Sequence, residues 1–300
     1  MRISTAQLFQ QGVSAILDQQ TSAAKTQQQL STGKRILSPA DDPAGATQAL
    51  RLDKSISQTN QYQNNSDYAT QQLTLESNTL NSVVSLLQRA HTLAVQAVNG
   101  TQSAQGRQGI AKEMQQSLQQ LQALANTKDT NGQYIFGGYK SGQQPFTSSG
   151  GTVTYNGDQG QRFVQIGQSR QVAVSDAGSS VFMNAPTSSG GSQSIFKTLQ
   201  DFVTSLQSNS PSATSITDIN NALKHVLSVQ TDIGSRQNAV SDQKTLSSSS
   251  QLAVKQNLSQ IQDLNYSQAI SQFQQQLTAL QAAQQSFGKI QGLSLFNYLP

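Results

Sequence analysis

Apolar residues recur every three or four positions at both ends of this chain, and the rhythm breaks only in the middle. From residue 4 to 32, Phe9, Val13, Ile16, Ala23 and Leu30 follow alternating steps of four and three; Gln20 and Gln27 occupy the steps between, and Leu17 flanks the stripe. From 258 to 292, Tyr266, Ile270, Phe273, Leu277, Leu280 and Phe287 keep the same rhythm, with Gln284 and Gln291 in the gaps. A repeat of about 3.5 residues sets these side chains along one seam of a helix, a seam that a second helix covers. Each terminal helix is expected to take the other as its first partner, while the chain between them runs out and returns.

The first helix should stop at Thr32-Gly33, because glycine accepts the left-handed conformation that ends helices. In the loop LSTGKRILSPADDPAG, residues 30–45, Pro39 blocks helix, and Asp42 before Pro43 reads as an N-cap with proline at the first helical position. The adjacent carboxylates Asp41 and Asp42 are assigned to this cap and loop rather than to metal binding or acid/base work. A second helix is predicted over 43–99, with a seam of Ala49, Leu52, Ile56, Leu73, Leu80, Val84, Leu87, Ala94 and Val98 that turns polar between Thr59 and Thr70. A second stripe, Val83, Leu86, Ala90, Leu93 and Ala97, calls for a second covering partner there. At 1.5 Å per residue this helix would be about 85 Å long. A third helix over 105–127, with Ile110, Met114, Leu118, Leu121 and Ala125 on one face, should fold back on it.

The texture changes at NGQYIFGGYKSGQQPF, residues 131–146, whose Asn-Gly, Gly-Gly and aromatic residues predict a hairpin. Val153, Tyr155, Phe163, Val164, Ile166, Val172 and Val174 then predict short strands parted by turns at Asn156-Gly157 and Gly167. TSSGGS, residues 187–192, reads as a flexible joint, followed by helices over 193–208 and 214–256. The fold expected is mainly α: an elongated antiparallel helical bundle or coiled coil formed by the N- and C-terminal segments, with a small inserted β domain. Its parts would be an N-terminal assembly helix (1–42), an outbound bundle half (43–139), a β-rich insertion facing solvent (140–190), a return half (191–257) and a C-terminal assembly helix (258–300).

Composition narrows the function classes. Only 35% of the 300 residues are apolar and 11% charged, so the helices have thin stripes and few ion pairs and should gain order from neighbours. The formal charge of +4 comes from scattered basic residues, the densest pair being Lys34-Arg35, and nothing resembles a stacking platform, so no nucleic-acid partner is expected. There is no cysteine, hence no disulfide framework and no thiolate ligand. No run approaches the ~20 apolar residues of a membrane span, and MRISTAQLFQQ lacks the apolar stretch of a signal peptide; export would need a route without one.

Candidate chemistry is sparse. His91 lies on the seam register and His225 on a helix flank, with no second histidine at metal-ligating spacing. Ser22/Lys25 and Ser241/Lys244 match S-x-x-K, but lack its companion elements and fall in predicted bundle helices. The glycines fit neither G-x-G-x-x-G nor a P-loop. No catalytic constellation, cofactor or metal site is expected.

LSTGKRILSPADDPAG resembles the conserved N-terminal segment of bacterial flagellins. SQIQDLNYSQAISQFQQQLTALQAAQQSFGKIQGLSLFNYL, residues 259–299, is similar to their C-terminal helix. The opening MRIST, the middle NGQYIFGGYKSGQQPF with VTYNGDQGQ, and the closing SLFNYL resemble the members of that family that join hook to filament. The resemblance implies terminal helices packed as the inner tube of an axial structure, the bundle around them, and the β insertion facing solvent. It implies a homo-oligomeric ring between the first junction protein (hook-associated protein 1) and flagellin. It further implies type III export with a flagellar chaperone on the C-terminal segment and an extracellular location. For such an assembly protein the ends are expected to be disordered in the free subunit and to fold on docking, since their seams need neighbours. The assembly surface would comprise Phe9, Val13, Ile16, Leu17, Leu30, Tyr266, Ile270, Phe273, Leu277, Leu280, Phe287, Leu295 and Phe296, with Gly33, Asp41, Asp42 and Pro43 forming the loop and cap. A filament-forming flagellin is the alternative.

Overall fold

The computed structural model describes residues 2–292. In chain order the elements are α1 (Arg2–Thr32), α2 (Pro43–Val98), α3 (Ala104–Ala125), β1 (Phe146–Ser149), β2 (Thr152–Tyr155), β3 (Phe163–Gln165), β4 (Gln171–Ala173), α4 (Gly178–Phe182), β5 (Ala185–Pro186), β6 (Ser192–Gln193), α5 (Ile195–Gln207), α6 (Ala213–Gln262) and α7 (Tyr266–Gly292). The fold is mainly α, with three separate two-stranded antiparallel ladders.

Local chemistry sets the helix ends. Gly33 takes φ 70° and its N–H returns to the Gln29 carbonyl at 2.8 Å, closing α1. At the start of α2, Asp42 Oδ1 accepts the Gly45 N–H at 2.8 Å. Ser103 Oγ accepts from Gly106 N to cap α3, and Ser194 Oγ from Lys197 N to cap α5.

The chain folds as two compact units, one from both ends of the chain, up to Gln58 and from Ser250 onward, the other Thr59–Ser249. In the latter, α2 and α6 run antiparallel: Gln63 meets Ser248 at 3.3 Å, Asp67 meets Lys244 at 2.6 Å, and Asn81 meets Gln230 at 2.5 Å. The α2 stripes bury Leu73, Leu80, Val83, Leu86, Leu87, Ala90, Leu93, Ala94 and Ala97, facing a core that also holds Met114 and Leu121 of α3 and Ile219, Val226, Ile233 and Val240 of α6. Helix α3 doubles back along α2, fixed by Arg89 to Glu113 at 2.6 Å and by Arg107 Nε to the Ala97 carbonyl at 3.1 Å. Helix α5 buries Ile195, Phe196, Leu199, Phe202, Val203 and Leu206. An aromatic cluster closes the β-containing part: Phe146 lies 5.4 Å from Phe182, 5.3 Å from Phe196 and 5.1 Å from Tyr155, and Phe136 meets Phe182 edge-on at 5.1 Å.

Three local expectations are corrected. Residues 131–145 form turns with one isolated bridge, Lys128 to Tyr134, rather than a hairpin; Ile135 and Phe136 go into the core instead of alternating along a strand. The hairpin comes next, β1 to β2 around Gly150-Gly151, both at positive φ (59° and 82°), as a twist-matched two-residue turn requires. TSSGGS is not a loose joint but the turn of the β5–β6 ladder, with the Thr187 N–H on the Gly191 carbonyl at 3.2 Å. The helix expected to end at 256 runs to Gln262, since nothing between Ser250 and Gln262 breaks helix and the first N-cap signal is Asn265, whose Oδ1 accepts the Gln268 N–H at 3.3 Å.

Candidate functional site: the paired terminal helices

In the unit built from the two ends, α1 and α7 lie antiparallel. Phe9 meets Phe287 with ring centroids 4.9 Å apart, Gln19 Nε2 donates to the Gln276 carbonyl at 3.1 Å, and the Tyr266 hydroxyl rests against Gly33. Two glycines allow this approach: a Cβ on Gly12 would stand 2.9 Å from the Phe287 ring, and one on Gly33 2.8 Å from the Tyr266 hydroxyl.

The face that α7 turns to α1 is Ala269, Phe273, Gln276, Leu280, Ala283 and Phe287; α1 answers with Gly12, Ile16, Gln19, Ala23, Thr26 and Leu30. Among the described residues of the two helices, only Ala23, Thr26 and Ala269 are fully buried. Val13, Ile16, Leu30, Phe273, Leu280 and Phe287 are half-covered. Leu17 is 55% exposed, Tyr266 52%, Ile270 48%, Phe9 45% and Leu277 39%. The apolar residues therefore form a band wider than one seam. Small residues take the inner line because they let the backbones approach, and Tyr266, Ile270 and Leu277 fall on its outer edge rather than on the helix–helix seam. Leu295 and Phe296 lie outside the described residues.

The α1–α2 loop is stitched to the break between α6 and α7. Arg35 N donates to the Gln262 carbonyl at 2.7 Å, Leu264 N to the Gly33 carbonyl at 2.9 Å, and Arg35 Nη2 to the Ile261 carbonyl and to Asp42, both at 3.0 Å. Asp41 accepts the Leu37 and Ser38 N–H groups at 3.0 and 2.9 Å and pairs with Lys25 at 2.6 Å. The Lys25 ammonium, then the Ser38 amide, hold its pKa down to about 2. The Gly45 amide, then Arg35, hold Asp42 below the usual carboxylate range. Both carboxylates are engaged, which fits cap and clasp rather than proton transfer. Pro43 is the first residue of α2. An open polar groove of about 360 Å³ beside the clasp is lined by Ser22, Lys25, Gln29, Arg35, Asn265 and Gln272; both of its cations already have acidic partners.

The other chemical candidates resolve similarly. Lys25 and Lys244 of the S-x-x-K matches are paired to Asp41 and Asp67. The His225 Nε2 lies 2.8 Å from the Ser180 carbonyl. Among the described residues, no group of three or more His, Cys, Asp or Glu could hold a metal ion, and no helix is long and apolar enough to cross a membrane. Pattern reading missed the buried polar group of Glu76 and Asp176 with Arg236. The signal was present: on α2 the seam jumps from Leu73 to Leu80, and Glu76 occupies the step between, on the core face.

Comparison with known proteins fits this architecture. Residues 3–141 match the bacterial flagellin N-terminal helical region. Flagellar hook-associated protein 3 of Escherichia coli K12 is 34% identical over 317 aligned positions, covering 99% of both chains. The crystal structure of Bacillus cereus FlgL superposes with TM-score 0.58 at 28% identity, covering 70% of this chain and 99% of that one. The hook-associated protein 3 structure from Legionella pneumophila shares the fold with TM-score 0.64 at 24% identity, covering 70% and 98%. The relatives' names are those of structural flagellar proteins, and none names an enzyme activity. The chain belongs to the flagellar hook-associated protein 3 family, and with it to the flagellin-related structural proteins of the bacterial flagellum.

Proposed function

We propose that this protein is the subunit that joins the hook side of the flagellum to the flagellin filament, working by stacking its paired terminal helices against those of neighbouring subunits. One observation carries the reading: α1 and α7 together leave Leu17, Tyr266, Ile270 and Leu277 exposed, and among the described residues of the pair only two alanines and a threonine are fully buried. Two helices enclose no core of their own. Their outer band requires further helices, and copies arranged around an axis supply them. The name of the E. coli relative, a flagellar hook-associated protein, supports a position beside the hook. The partners would be further copies in a ring, hook-associated protein 1 on one side, flagellin on the other, and an export chaperone before assembly. Residues 1–42 and 258–300 would form the inner assembly domain, and 140–190 would face solvent.

The ends of the free subunit would be disordered and fold on docking: the α1–α7 pair is thin and should open at low cost. Complementation tests the junction role. In a strain lacking its own hook-associated protein 3, the chain should restore attached filaments and end the loss of flagellin to the medium. Purified chain growing into long filaments by itself, without such rescue, would instead establish the filament-forming reading.

A further inference from the structure

In the Thr59–Ser249 unit, two carboxylates share one committed cation. Arg236 of α6 grips Asp176 through Nη2, at 2.9 Å to Oδ1 and 2.8 Å to Oδ2, and Gln161 donates to the same Oδ1 at 2.7 Å. Asp176 precedes α4 and is itself buried. Glu76 comes up from α2, 1% exposed, and its Oε1 accepts the Asp176 backbone N–H at 3.1 Å. Its Oε2 is buried and unpartnered, as is Arg236 Nη1. The charges that face Glu76 from the packed elements are Asp176, Arg236 and, more weakly, Arg162. With Arg236 fastened to Asp176, an ionised Glu76 would be a second buried anion without an ion-pair partner, a state that low-dielectric surroundings disfavour.

We propose that Glu76 is a neutral carboxylic acid in the folded protein at neutral pH, and that this neutrality, with the Oε1 bond from the Asp176 N–H, locks α2 to the Asp176 segment that Arg236 of α6 also holds. Burial, then the Asp176 carboxylate, push its pKa up to about 8, in line with this geometry. When the proton leaves, the lock carries two anions against one guanidinium and the packing of α2, α6 and the residues before α4 loosens. The native state then holds more protons than the unfolded chain between the ordinary glutamate range and about pH 8, so stability falls as pH rises across that window. The inference is independent of what the protein assembles with.

Thermal unfolding of the full chain, followed by circular dichroism from about pH 6 to about pH 9, tests this; over a domain of this size each pH unit of linkage lowers Tm by roughly 3–5 °C, about 5–11 °C between about pH 6 and about pH 8. Glu76→Gln, neutral at every pH, should lack that alkaline fall and exceed the natural protein in Tm at the upper end. Parallel pH profiles for the two proteins would overturn the proposal. An infrared titration of the unaltered protein decides the matter even if the variant does not fold. A protonated carboxyl band present at neutral pH and lost near pH 8 supports the lock; no such band at neutral pH rules it out.

Discussion

At Gly33 a single residue carries two constraints. Its φ of 70° is open to glycine, and the Tyr266 hydroxyl occupies the space a side chain would take. Gly33→Ala should destabilise the end unit by about 1–2 kcal/mol through the backbone conformation. Pairing it with Tyr266→Leu should recover only the part due to the clash, as equilibrium denaturation of the four variants in a double-mutant cycle will measure. Asp41 carries the acid sensitivity of the clasp. Its pKa is about 2 in the folded chain against 3.8 ordinarily, so the native state holds fewer protons between these values. The stabilisation is complete above about pH 4 and is lost as pH falls through about 2. Asp41→Asn should remove that part of the acid transition, which an acid titration of helicity in both proteins checks. The glycine stop at Gly33 was legible from sequence because it is local chemistry; Asp41 could be assigned to the cap and loop, but its pairing with Lys25 of α1 could not be read from the pattern. Glu76 was passed over because an acid on a core stripe acquires meaning only once Asp176 and Arg236 are brought beside it from distant segments.

At the scale of elements, the apolar residues of the terminal helices fall into two sets. Phe273 and Leu280 face α1, whereas Ile270 and Leu277 face outward. Phe273→Asp should weaken α1–α7 pairing in the free chain, by roughly 1–3 kcal/mol for a half-covered charge, and speed proteolysis of both ends. Ile270→Asp should leave the pairing and the proteolysis rate unchanged yet block incorporation into flagella. Limited proteolysis of the two purified variants, with immunoblots of isolated flagella, separates the two effects. Equal behaviour of the variants would contradict the division. The sequence carried the helices and their rhythm, but a band several residues wide contains more than one heptad line. Which line faces inward was decided by Ala269, Ala283 and Gly12, small residues that an apolar-pattern reading passes over. The short ladders were harder to place because strands of two to four residues carry almost no periodicity. Their order depends on the Phe136–Phe146–Phe182–Phe196 cluster, assembled from distant segments.

At the scale of the whole molecule, a Thr59–Ser249 unit with a core of its own is joined to an end unit whose α1–α7 pair encloses almost none. Leu17, Ile270 and Leu277 are left exposed by that pair, and the proposed stacking would cover them with neighbouring subunits. The absence of cysteine permits a direct measurement. Leu277→Cys introduces the sole thiol in the chain, and its rate of maleimide labelling reports whether that side chain is covered. The account predicts rapid labelling of the free subunit and strong protection in intact flagella that have incorporated it. Equal labelling in both states would contradict the stacking of the terminal helices on which the proposed function depends.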